Sequence, residues 1–174
     1  MHRYSSAAPL SADARQRIVC ELVNFKGPLT ASVTVGPPPP VLELLGPQSG
    51  WTPKQVVAAL LADRSTGRVS TGQRVSMASL ESVSAVDVGG APYFYFETVA
   101  QGSPNFVDPK AQTFRRALGV VACREGYYYT MMITAPERLW DECEAGFKAS
   151  VTSFRLDEKT DEFRAPDTPS LQFW

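Results

Sequence analysis

Apolar and polar positions alternate with a period of two along most of this chain, and in two stretches the period lengthens to three and four. The segments RIVCELVNF (17–25) and LTASVTV (29–35) carry β-branched residues in alternation and predict two strands. The KGP between them (26–28) is a turn signal. GPPPP (36–40) ends the second strand, because proline cannot donate to a ladder, and reads as a stiff connector. In WTPKQVVAALLADR (51–64) Val56, Val57, Leu60 and Leu61 share one face, which predicts an amphipathic helix. Thr52 is its expected N-cap, Pro53 its first residue, Gln55 the reciprocal member of a capping box, and Trp51 with Val56 a hydrophobic staple.

Period two then returns. RVSMASLESVSAVDV (74–88) and APYFYFETVAQ (91–101) flank Gly89–Gly90, a hairpin dipeptide. In the second of these Tyr93, Tyr95 and Glu97 point one way, and Phe94, Phe96 and Thr98 the other. GSPNFVDPK (102–110) reads as a loop, and 113–134 as a hairpin turning at Arg124–Glu125–Gly126. Within it Tyr127, Tyr129, Met131 and Ile133 face one side, and Tyr128, Thr130, Met132 and Thr134 the other; both faces are apolar enough to be core. The last element, 134–154, is expected to be a helix opened by a Thr134–Glu137 capping box. Trp140, Cys143, Phe147, Val151 and Phe154 form its apolar face, and most of its charges lie opposite. The order β-β-α-β-β-β-β-α, with short turns between strands, predicts an α+β fold: an antiparallel sheet covered by helices.

Composition narrows the function classes. At 174 residues the chain suits one domain with a full core, and its 44% apolar and 20% charged residues are ordinary for a globular protein. A net charge of −1 gives no electrostatic footprint for nucleic acid or anionic membrane. No apolar run approaches the ~18 residues of a membrane span. The opening MHRYSSAAPLSADARQR lacks the apolar segment of a signal peptide, so the expectation is a cytosolic protein or a processed form. Cys20, Cys123 and Cys143 allow at most one internal disulfide; three small buried thiols are the commoner outcome, and the pairing stays open.

No catalytic or metal-binding residue emerges. The single histidine, His2, lies in the polar arm 1–17, so a Ser-His or Cys-His pair has no partner in the patterned part of the chain. No zinc spacing, P-loop, GxGxxG, GxSxG or DxDxDG pattern occurs. The pair Asp141–Glu142 sits on a helix, where neighbours diverge, and Asp161–Glu162 reads likewise as solvated charge. Neither an enzyme nor a cofactor is expected.

The elements from about residue 18 to 156 resemble, in order, those of the PsbP-domain family. REGYYYTMMITAPERLW followed by DECEAGFKASVTSFRL is similar to that family's closing turn, aromatic strand, tryptophan and helix ending in Ser-Phe, with Trp140, Phe147, Ser153 and Phe154 in the matching places. LTASVTVGPP, GWTPKQVVAALLADR and VDVGGAPYFYFETVAQ resemble its earlier strand, helix and hairpin. The resemblance implies an α/β/α sandwich of the PsbP/Mog1-like kind, shared by residues 18–156 between an N-terminal arm (1–17) and a C-terminal extension (157–174). It implies a non-enzymatic extrinsic protein of the chloroplast thylakoid lumen, peripheral to the membrane and bound to a photosystem. Its place would be the oxygen-evolving side of photosystem II, where the founding member helps retain calcium and chloride, or photosystem I or the chloroplast NDH complex. The alternative, from the same fold, is a Mog1-like partner-binding protein outside the plastid.

Three departures favour a paralogue or a divergent algal member over the standard oxygen-evolving subunit. The family's opening strand with its tryptophan has no counterpart in 1–17. GSPNFVDPKAQ replaces a Gly-, Asp- and His-rich loop and loses its histidine. The tail DEKTDEFRAPDTPSLQFW extends past the usual end. That tail is polar by composition, yet it carries Phe163, Leu171, Phe173 and Trp174. It either folds back on its own sheet or is held by a larger complex, and these four residues are the expected partner-docking candidates.

Overall fold

The computed structural model describes residues 17–24, 29–46, 50–69, 75–102 and 114–157; the expected arm, the 103–113 loop and the extension from 158 lie outside them. Six strands form one antiparallel sheet in the order β1-β2-β6-β5-β4-β3. They are β1 (Arg17–Asn24), β2 (Leu29–Gly36), β3 (Val75–Val88), β4 (Ala91–Gly102), β5 (Phe114–Arg124) and β6 (Tyr127–Pro136). Helix α2 (Pro53–Val69) packs mainly on β3 and β4, and α3 (Trp140–Ser153) on β5 and β6. Two separate apolar clusters result. One holds Val56, Val57 and Leu60 of α2 against Phe94, Phe96, Val121, Tyr128 and Met132. The other holds Val151 and Phe147 of α3 against Tyr93, Val120, Ala122 and Ile133. The two helices thus lie on opposite faces, and the expected α/β/α sandwich is the fold observed.

Local chemistry accounts for most of the boundaries. The Thr52 amide donates to Gln55 Oε1 at 2.9 Å and the Gln55 amide to Thr52 Oγ1 at 3.3 Å, which closes the expected capping box. Trp51 stacks on Tyr128 with ring centroids 6.3 Å apart and donates Nε1–H to the Gly46 carbonyl at 2.9 Å. At the β3–β4 turn Gly89 and Gly90 have φ of 63° and 84°, the mirror-image turn that matches strand twist, and the Gly90 amide donates to Asp87 Oδ1 at 2.9 Å. Glu125 and Gly126 form the same kind of turn between β5 and β6, with Glu125 at φ 51°, an uncommon region for a residue with a side chain. Opposite Phe96, Gly119 leaves space that only a missing side chain can leave: a Cβ there would stand 2.2 Å from the phenyl ring.

Two expectations need correction. Residues 134–136 are strand, not helix, so the Thr134–Glu137 capping box does not form: a short 3-10 turn spans Glu137–Leu139, and Leu139 precedes α3 without a side-chain cap. Thr134 instead meets Thr30 across the β2–β6 pair, and Glu137 is taken by an arginine. The proline connector also contains a turn of helix, α1 (Pro40–Glu43), opened by Pro40 at a position where its missing N–H costs nothing. Its Leu42 is fully buried beneath α2. The helix expected over 51–64 runs on to Val69.

Candidate functional site

The most connected polar group joins sheet and helix on the α3 face. Arg116 of β5 places Nη1 2.9 Å from Glu97 Oε1 on β4, and grips Glu137 with Nη2 at 2.6 Å and Nε at 3.0 Å. Its guanidinium also stands 5.3 Å from the Trp140 ring centroid, within cation–π range. The hydrogen bond to Glu137 is the foremost cause raising the Arg116 pKa, against partial burial, which works the other way. Glu137 opens the 3-10 turn and Trp140 opens α3, so this one side chain sets where the helix leaves the sheet. The forked contact to Glu137 satisfies the geometry that arginine, unlike lysine, offers. With both carboxylates engaged and no nucleophile among these residues, the cluster acts as a clamp.

The α2 face carries a row of hydroxyls. Thr30 and Thr134 share a hydrogen bond of 2.6 Å between their Oγ1 atoms, and Arg115 Nη2 donates to Thr134 Oγ1 at 2.8 Å. Further along β6 the Tyr128 hydroxyl and Thr130 Oγ1 are buried without a hydrogen-bond partner. Burial, foremost, and its register partner Cys123 push the Tyr128 phenol above its ordinary range, so it stays neutral at physiological pH. Cys20, Cys123 and Cys143 are free thiols, each half-buried. Among the described residues no three His, Cys, Asp or Glu side chains converge as a metal site.

The third feature is apolar. β1 is an edge strand, and Ile18, Val19, Leu22 and Val23 on it are 40%, 52%, 45% and 39% exposed. Between β1, β2 and the flank of α3 lies an open groove of about 330 Å³, lined by Leu22, Leu29, Ala31, Ile133, Phe147 and Ser150 among others. Ala31, Ile133 and Phe147 also belong to the cluster beneath α3, so the groove floor continues that core. A run of exposed apolar side chains on an unpaired edge is what natural sheets ordinarily cover or charge. Sequence reasoning assigned β1 to the sheet but did not foresee this exposure. The available signal was that apolar residues fall at both parities, as at Ile18–Val19 and Leu22–Val23, where the register of β1 on β2 shifts between Ile18 and Cys20.

The four expected docking residues, Phe163, Leu171, Phe173 and Trp174, lie outside the described residues, as does the loop that replaces the family's histidine segment. The described chain reaches Asp157, whose carbonyl accepts from Arg124 Nη1, close after the Leu156 amide donates to the Tyr93 hydroxyl at 2.9 Å. The base of the extension is therefore anchored at the β5–β6 turn end of the sheet.

A sequence profile of the PsbP family matches residues 26–156. PsbP domain-containing protein 5, chloroplastic, of Arabidopsis thaliana is 36% identical over 172 residues, which are 99% of this chain and 58% of that protein. This chain thus spans little more than half of that relative, and the match continues beyond the profile into the C-terminal extension. Among solved structures, cyanobacterial PsbP (CyanoP) from Synechocystis sp. PCC 6803 superposes with a TM-score of 0.57 at 20% identity, covering 88% of this chain and 78% of that one. A Pseudomonas aeruginosa protein of unknown function gives 0.46 at 12% identity, over 88% and 90%.

Proposed function

Since this chain belongs to the PsbP family, we propose that it is a non-enzymatic extrinsic subunit or assembly factor of a photosynthetic membrane complex, working on the lumenal face of the chloroplast thylakoid. The observation that carries the reading is the family profile over 26–156 together with 36% identity to a chloroplast PsbP-domain protein along almost the whole chain. The fold supports it in kind. The Arg116 clamp ties α3 to the sheet, whereas the exposed apolar surface lies on an edge strand, where a partner has access. Binding is through protein–protein contacts, with Phe163, Leu171, Phe173 and Trp174 as the proposed docking residues.

The partner is a photosystem, I or II. The oxygen-evolving role of the founding member, with its calcium and chloride retention, is the less favoured form, because GSPNFVDPKAQ carries no histidine. Fractionation of thylakoids tests the reading. The protein is expected to resist protease in intact thylakoids, to become digestible when they are opened, and to co-migrate with a photosystem on native gels. Which photosystem band it follows decides between the two. Recovery from the stroma or cytosol alone would overturn it.

A further inference from the structure

We propose that β1 takes up an extended segment of a partner protein as an added strand, one that lays apolar side chains over Leu22 and sets a basic side chain against Glu21. The inference begins with the backbone. β1 ends the strand order, so among the described residues nothing pairs with its outer side. The N–H and C=O groups that point away from β2 form an open ladder, which another extended chain can complete. The register of β1 on β2 shifts between Ile18 and Cys20, and from Cys20 to Asn24 it runs without a break against Val33 to Leu29. That regular stretch is the part of the edge able to template a strand, because a bulge turns the ladder aside.

Side chains along the stretch select the occupant. Leu22 pairs with Ala31 and stands on the α3 face, at the rim of the groove lined by Leu29, Ile133 and Phe147. Glu21 and Val23 pair with Ser32 and Thr30 and stand on the α2 face. All three are exposed, and Glu21 enters no ion pair among the described residues. On an added strand the residue opposite Glu21 points to the α2 face, and its two neighbours point to the α3 face. A lysine or arginine there meets a carboxylate without a counter-charge, while a large apolar neighbour covers Leu22 and leans into the groove. The matching segment therefore reads apolar–basic–apolar. Its main chain supplies affinity and its alternate side chains supply specificity. Lipid does not fit this edge, since hydrocarbon leaves ladder groups unsatisfied. A second copy does not fit either: Cys20–Asn24 contains no Lys or Arg, so self-pairing along it cannot match Glu21 with a base. The inference goes beyond the proposed function, because it states the chemistry a partner must offer whichever complex supplies it.

The probe is a short threonine-rich peptide with Phe-Lys-Val at its centre, titrated into the full chain labelled at methyls and amides for NMR. It is expected to shift the methyls of Leu22, Val23 and Leu29, and to leave Leu60 under α2 and Val86 on the β3 edge in place. Alternate β1 amides should gain exchange protection by roughly tenfold or more. A peptide with Phe-Glu-Val at its centre should bind several-fold more weakly, and Glu21→Lys should reverse that order. Glu21 is exposed on an edge strand, so the variant folds; Glu21→Gln, a milder change, should make the two peptides equal. Unmoved β1 methyls would overturn the proposal, as would shifts without amide protection, equal shifts at Val86, or a lysine preference that survives Glu21→Lys. Two other occupants have their own signatures. Shifts that grow with protein concentration and resist the peptide would indicate a second copy, and the same shifts with anionic-lipid vesicles would indicate a membrane. Either overturns the proposal. Co-migration with a photosystem is a separate measurement, and its failure would leave this result standing.

Discussion

The two edges of the sheet are built on different plans. On β3 the exposed positions are mostly polar or small: Ser79, Glu81, Ser82, Ser84 and Asp87, with Val86 the large apolar exception. Ser79 and Glu81 hydrogen-bond each other at 2.5 Å, and Asp87 caps the turn. Charge and polarity of this kind keep an unpaired ladder from recruiting another strand. On β1 the exposed positions are Ile18, Val19, Leu22 and Val23, beside an apolar groove. One edge is finished against solvent and the other is left as an adhesive surface. The interior between them tolerates neither voids nor additions, so each region should answer differently to substitution.

The sharpest way to break the contrast is to cut the core under α2. Leu60→Ala, at a position 2% exposed, should cost about 3 kcal/mol in chemical denaturation, combining lost burial with the cavity left behind. Gly119→Ala attacks the same cluster by addition. With a Cβ 2.2 Å from the Phe96 ring, it should cost about 2 kcal/mol, and Phe96→Leu in the same chain should recover part of that. The comparison sharpens at the edge: Val19→Lys, at a site 52% exposed, should change stability by under about 0.5 kcal/mol while reducing self-association measured by light scattering. The smallest effect lies on the solvent side of α3. The Lys148 hydrogen bond lowers the Glu144 pKa, so the pair stabilises the fold above the ordinary carboxylate value of 4.5 and loses that contribution as pH falls through the lowered one. Glu144→Gln should therefore make the acid side of the stability profile slightly shallower and, because the same pair raises the Lys148 pKa, flatten the loss on the alkaline side as well.

What was legible in the residues was what local chemistry decides. Alternation located the strands, and the Thr52–Gln55 pair located the start of α2 because both partners of that cap lie within one turn. Thr134–Glu137 carries the same pattern and means something else. Thr134 finds Thr30 and Arg115, and Glu137 finds Arg116, partners brought in by strand pairing. The Arg116 clamp was illegible for the same reason: its three contacts come from different elements, so spacing along the chain carries no trace of it. The Tyr-Met stretch was legible as core on the α2 face, where Tyr128 and Met132 are buried; on the other face Ile133 is buried, Tyr129 and Met131 are half-buried and Tyr127 is 52% exposed. The open face of β1 was not, because exposure follows from being at the edge of the strand order, a property of the whole sheet. Pro40 within α1 shows a smaller version: four prolines read as a stiff rod until Leu42 is needed to fill a space beneath α2.

The pairing of β2 with β6 also sets a timetable. β3 to β6 follow one another along the sheet and zip together through neighbouring pairs, while the β1–β2 hairpin joins only through β6. The Thr30–Thr134 hydrogen bond at that seam closes across 104 positions. A chain made from its amino end therefore finishes the most apolar hairpin edge early and must wait for the last strand before it has anywhere to dock it. Closing so long a loop comes late and slowly, and until then both sides of the hairpin are bare. The seam between the first-made and last-made strands is therefore the pairing expected to close last when the chain refolds.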